Sequence, residues 1–156
     1  MQPISQIVLT LNKMMDINGQ RVNRYKSLAD KAKEIEMKIF YMQFAIQAQT
    51  FTATLNKWRT AYGIASHTLP KEGILSSAIG QLKRVINLGS KDFDLKQCEE
   101  MESNALKTYK TALSLAFLPS ATTEDIVRQT EELENTHFTL KTFRENGSEQ
   151  WQASSI

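Results

Sequence analysis

The sequence predicts an all-α four-helix bundle, and three observations carry that expectation. Between Met37 and Tyr62 the apolar residues Met37, Tyr41, Phe44, Ala48, Phe51, Leu55, Trp58 and Tyr62 recur at alternating steps of four and three, the seam of a helix packed against others. Three further segments repeat that spacing, separated by Gly, Pro and short polar stretches. The chain has 156 residues, enough for one domain to bury a core without disulfides or metal.

The first helix is expected over 3–31. Pro3 suits its first turn, where a missing N–H costs nothing. Its seam runs through Ile4, Ile7, Val8, Leu11, Met14, Met15, Val22, Tyr25, Leu28 and Ala32. Gly19 interrupts it at about 1 kcal/mol relative to Ala, and the apolar slot between Met15 and Val22 holds Asn18 instead. The second helix is expected over 33–62, with Gly63 to end it.

From 63 to 89 the chain is too long for a tight helix hairpin. It contains Pro70, Gly73 and the pattern Ile74, Leu75, Ala78, Ile79, Leu82, Val85, Ile86, which predicts a short helix near 73–88 inside a crossover. One long connection between helices two and three is the mark of a ferritin-like bundle. The third helix is expected over 91–117, capped by Ser90 or Asp92, with the seam Leu95, Cys98, Glu102, Ala105, Tyr109, Ala112, Ala116. Pro119 closes it. Thr122 with Asp125 opens the fourth, expected over 123–145 with the seam Ile126, Thr130, Leu133, His137, Leu140. Gly147 ends it, so 1–147 reads as one domain and 148–156 as a flexible tail.

Lys and Arg number 19 against 17 Asp and Glu, a net charge of +2 with the basic residues scattered, which argues against a nucleic-acid partner. No apolar run approaches the ~20 residues a membrane span needs, and the start lacks a signal-peptide pattern, so the expected location is cytoplasmic. The lone Cys98 cannot form an internal disulfide and reads as a small core residue. No small-molecule ligand is legible.

Asn18, Glu102 and His137 each fall near the middle of their helix, with Gln47, Ala48 and Gln49 at the middle of the second. Helices of similar length packed side by side bring their midpoints to one level, which predicts a buried polar layer. Glu134 and His137 form a Glu-x-x-His pair on one helical face, and Glu99 or Glu102 offers a third ligand. This is half of the carboxylate–histidine set of di-iron bundles. From Met37 to Ser66, however, there is no Asp, Glu or His, and Gln47, Gln49 and Thr52 are weak ligands. A di-iron centre is therefore not expected. Two readings remain: a hydrogen-bonded network in which Glu102 and His137 pair across helices, or a mononuclear Fe or Zn site using Glu102, Glu134, His137 and Glu99. Arg21, Arg24 and Lys26 read as a solvated face, with the alternative that they neutralise Glu99, Glu100 or Glu102 in place of a metal. His67 reads as a loop histidine. Phe40 and Tyr41 are adjacent and not both expected to face inward, so the second helix has a surplus apolar strip, which suggests a homo-oligomer.

Leu11, Asn12, Asn18 and Tyr25 in the first helix, the helix-bearing crossover, and Cys98, Glu99, Glu102, Ala105, Tyr109, Ala112 and Leu113 in the third carry a family resemblance. From about Ile4 to Phe143 the chain resembles an uncharacterised bacterial family of ferritin-like four-helix bundles, a domain of unknown function. The resemblance implies the fold and no established activity. In that family an acid often stands where this chain has Gln20, and acids or basic residues stand at Gln47, Gln49 and Thr52. The expected function is a non-enzymatic structural, oligomeric or stress-associated role. The alternative is a metal-binding protein for iron handling or oxidant chemistry.

Overall fold

The computed structural model describes residues 3–66 and 90–146, and all regular structure among them is helical. The helices are α1 (Pro3–Lys31), α2 (Ile35–Ser66), α3 (Lys91–Leu113) and α4 (Ser120–Asn146). The expected short helix near 73–88 and the tail at 148–156 lie outside the described residues, as does His67.

Capping chemistry sets the ends. The Glu34 carbonyl accepts from the amides of Met37 and Lys38, each at 3.1 Å, so α2 starts two residues later than the pattern suggested. Lys38 then reaches back: its Nζ donates to the carbonyls of Ala29 at 3.1 Å and Asp30 at 3.4 Å, holding the electronegative end of α1. Gly63 does not end α2. It is buried within the helix, which continues to Ser66. Ser90 caps α3 from extended backbone, its hydroxyl accepting from the Phe93 amide at 3.3 Å. Ser90→Ala is expected to lower stability by about 1 kcal/mol in chemical denaturation, with the unfolding slope unchanged.

The third helix stops at Leu113, short of the expected 117. The Ser114 hydroxyl donates to the Thr111 carbonyl at 2.6 Å, and the chain turns so that Phe117 and Leu118 fold back on the core. The fourth starts at Ser120, earlier than expected. The carbonyl of Pro119 accepts both the amide and the hydroxyl of Thr123, and the expected Thr122–Asp125 capping box is spent on tertiary bonds instead. Trp58 Nε1 donates to Asp125 at 2.8 Å, and the Tyr62 hydroxyl pairs with that of Thr122 at 2.8 Å.

Each helix packs mainly on two others: α1 on α2 and α3, α4 on α3 and α2. Residue pairs fix their directions. Asn18 meets Tyr109 and Arg21 meets Glu102, so α1 and α3 are antiparallel. Phe40 meets Phe143 and Trp58 meets Asp125, so α2 and α4 are antiparallel too. With α1 and α2 joined by a short turn, α2 and α3 run the same way.

Phe40 and Tyr41 are both buried, against expectation. Flanked by α1 and α4, α2 buries a wide arc: Phe40 stacks on Phe143 of α4 at 4.4 Å between ring centres, and Tyr41 lies 6.5 Å from Tyr25 of α1. The core divides into two apolar clusters. One gathers Tyr25, Phe40, Phe44, Cys98, Leu140 and neighbours; the other gathers Leu11, Met14, Leu55, Tyr109, Ile126, Leu133 and neighbours. Cys98 is a free thiol in the first, and burial raises its pKa. Among the described residues no helix is long and apolar enough to cross a membrane.

Candidate functional site

Between the two clusters every helix contributes a polar side chain at one level. On α1, Asn18 and Arg21 lie one turn apart on the inward face, and both are fully buried, as is Glu102 of α3. A lone buried charge is prohibitively costly. Here the guanidinium and carboxylate meet in a two-pronged pair, Nε to Oε2 at 2.6 Å and Nη2 to Oε1 at 2.8 Å. Arg21 also donates from Nη1 to Asn18 Oδ1 at 3.0 Å and from Nη2 to Gln47 Oε1 of α2 at 2.5 Å. Its carbon lies 5.6 Å from the Phe51 ring centre and 5.8 Å from that of Tyr25, close enough for both rings to attract the cation.

The network continues into α4. Asn18 Nδ2 donates to the Met14 carbonyl at 2.9 Å and to the Tyr109 hydroxyl at 2.8 Å. The Tyr109 hydroxyl in turn donates to Gln129 Oε1 at 2.5 Å, and Gln129 Nε2 reaches the Phe51 carbonyl at 3.4 Å. Thr136 shares Gln47 Oε1 with Arg21, at 3.2 Å.

Burial works against the Arg21 charge, but the charge and hydrogen bonds of Glu102 outweigh it, and the Arg21 pKa is raised. Burial raises the pKa of Tyr109, opposed by the Asn18 hydrogen bond and the Arg21 charge. It raises that of Tyr25 well above its ordinary value, and the nearby Glu102 charge adds to the effect. The Tyr25 hydroxyl is buried without a well-formed hydrogen bond. The layer thus holds one ion pair and two protonated tyrosines at neutral pH.

The metal ligands expected from sequence are not brought together. Glu102 spends both oxygens on Arg21. Glu99, also buried, is gripped by Arg144 of α4. Glu134 is exposed, with Lys110 of α3 at 3.9 Å. His137 is only partly buried, and the residue before it, Thr136, takes the inward position. The expected Glu102–His137 pair does not form: the inward face of α4 steps by three from Leu133 to Thr136 and not by four to His137. Among the described residues no group of three or more His, Cys, Asp or Glu is placed to hold a metal.

Of the basic residues read as a solvated face, Lys26 is exposed, but Arg21 and Arg24 are buried. Arg24 lies where its charge acts on Cys98 and Asp94. Gln129 and Thr136 were missed altogether. A hollow of about 250 Å³ at the α1–α2 turn, lined by Lys31, Lys33, Met37, Tyr41, Lys91 and Asp94 among others, does not reach the layer. No family profile matches the chain, and no curated protein matches it.

Proposed function

We propose that this chain is a non-enzymatic ferritin-like bundle protein in which Arg21 takes the central place that a metal holds in carboxylate bundles, leaving a structural or oligomeric role exercised through its surfaces. One observation carries this reading: a single buried guanidinium gathers both oxygens of Glu102 and the side-chain oxygens of Asn18 and Gln47, from three helices. The cation is covalently part of the chain, and arginine does not lose its proton in proteins. Neither acid–base chemistry nor metal ligation is open to Glu102 while Arg21 holds it. The parallel course of α2 and α3 supports the ferritin-like order of helices.

Metal analysis of protein purified without chelator or affinity tag, followed by titration with Fe²⁺ and Zn²⁺, tests the reading. Bound metal well below one ion per chain is expected, unchanged by Glu102→Gln. A tightly held ion that Glu102→Gln or His137→Ala releases would overturn it.

A further inference from the structure

The outer face of α2 is the least satisfied apolar surface in the described residues. Ile35, Ile39 and Ile46 are 62%, 56% and 55% exposed, and half-buried Met42 lies among them. These four follow steps of four, three and four, the spacing of a coiled-coil seam; the three isoleucines are exposed, and Met42 is packed in part against the core at the edge of the stripe. From 39 to 56 the helix carries no charged residue, and Lys38 is turned back onto the Ala29 carbonyl of α1. Nothing charged interrupts the stripe.

We infer that this face pairs with the same face of a second copy, the two α2 helices antiparallel about a two-fold axis. The stripe is self-complementary in that arrangement. Ile35 falls opposite the second copy's Ile46, and Ile39 opposite its Met42, so every large apolar residue meets another and each layer joins the two kinds of seam position, as antiparallel coils require. The area fits. Three isoleucines more than half exposed leave on the order of 300 Å² of apolar surface per copy. Two copies, at the usual ~57% apolar content, make an interface on the order of 1,000 Å², the lower edge of specific association. The dimer is therefore weak and reversible. This inference rests on the reading of the chain as a structural protein that works through its surfaces.

Sedimentation equilibrium over several decades of micromolar concentration tests it. The parent chain should shift reversibly from monomer to dimer, and Ile39→Glu should abolish the shift with helicity and unfolding midpoint unchanged. Phe138→Glu, at a 68% exposed position on another helix, should leave it intact. Combining Ile39→Glu with Met42→Lys should restore dimerisation, because each new charge then faces its opposite across the axis; a parallel pair would set like against like. A parent chain that stays monomeric, a dimer indifferent to Ile39→Glu, or failure of the double variant to recover overturns the inference. Ile39→Glu that destabilises a monomer would mean that residues 67–89 of the same chain cover the stripe, also against it. None of these outcomes touches the reading of the core, which stands or falls on the metal titration.

Discussion

Glu102→Leu alone is expected to cost about 3–5 kcal/mol, because it leaves the Arg21 guanidinium buried without its counter-ion. Arg21→Met should cost a comparable amount by stranding the carboxylate. The double variant, Arg21→Met with Glu102→Leu, should cost far less than the sum, since it removes both charges and keeps apolar volume where the pair stood. What remains is the loss at Asn18 Oδ1, whose hydrogen bond comes from Arg21, and a smaller loss at Gln47 Oε1, which is left with a Thr136 hydroxyl that also donates to the Glu132 carbonyl at 3.0 Å. One orphaned acceptor accounts for roughly 1–3 kcal/mol. Urea denaturation of the four proteins, read as a double-mutant cycle, should give a coupling of about 2 kcal/mol or more. Additive effects would mean that the two groups do not meet in solution. His137→Ala serves as the contrast: partly buried and outside the layer, it should fall within about 0.5 kcal/mol of the parent.

Much of this fold was legible because the second helix states its period so plainly. Met37, Tyr41, Phe44, Ala48, Phe51 and Leu55 are all buried as the seam required. The polar layer was legible in part for the same reason, since Asn18 and Glu102 interrupt otherwise apolar seams near helix midpoints. Its organising cation was legible only as the alternative to a solvated face, in which a basic residue of the first helix neutralises a glutamate in place of a metal, and Arg21 on Glu102 is that arrangement. Arg21 sits on a helix with Arg24 and Lys26, and clustered basic residues are ordinarily solvated. The overlooked signal was spacing: Arg21 lies three residues after Asn18 and four before Tyr25, on the seam itself, facing a helix with a glutamate on its own seam. The misplacement of His137 has a different origin. A seam of threes and fours leaves the order of steps open, and Leu133 can be followed inward by Thr136 or His137 on periodicity alone. Tertiary partners decide it, here the shared oxygen of Gln47. The ends of α3 and α4 escaped for a similar reason, because Thr122 and Asp125 satisfy Tyr62 and Trp58 and leave the capping to Pro119 and Thr123.

Above pH 9 the protein is expected to lose stability steeply. Tyr25, Tyr41 and Tyr109 have pKa values raised from the ordinary 10.0, and Cys98 from 9.0, with burial the leading cause in all four. The sign follows from which state holds the proton more tightly. Folded, these groups stay neutral; unfolded, they ionise at their ordinary values, so alkali draws the chain toward the unfolded state. The stability they contribute is whole below pH 9 and is lost as the pH rises through the unfolded values toward the folded ones. Each group removes about 1.4 kcal/mol per pH unit once its unfolded form is ionised, and four together on the order of 5 kcal/mol per unit. Against a total of about 5–15 kcal/mol, one to three pH units above 10 suffice to unfold the chain. The Arg21–Glu102 pair does not protect it, because arginine keeps its charge across that range. Urea denaturation at pH 8, 10 and 11 checks the slope, and two tyrosine variants check its origin. Tyr25→Phe removes a buried hydroxyl that lacks a well-formed hydrogen bond, so it should be nearly neutral at pH 7 and should flatten the alkaline slope. Tyr109→Phe should flatten the slope equally but cost roughly 1–3 kcal/mol at pH 7, because Asn18 Nδ2 and Gln129 Oε1 both lose their partner. Stability that stays level from pH 9 to 11, or that falls just as steeply in both variants as in the parent, would mean that these hydroxyls reach water, and that the layer is not sealed between its two apolar clusters.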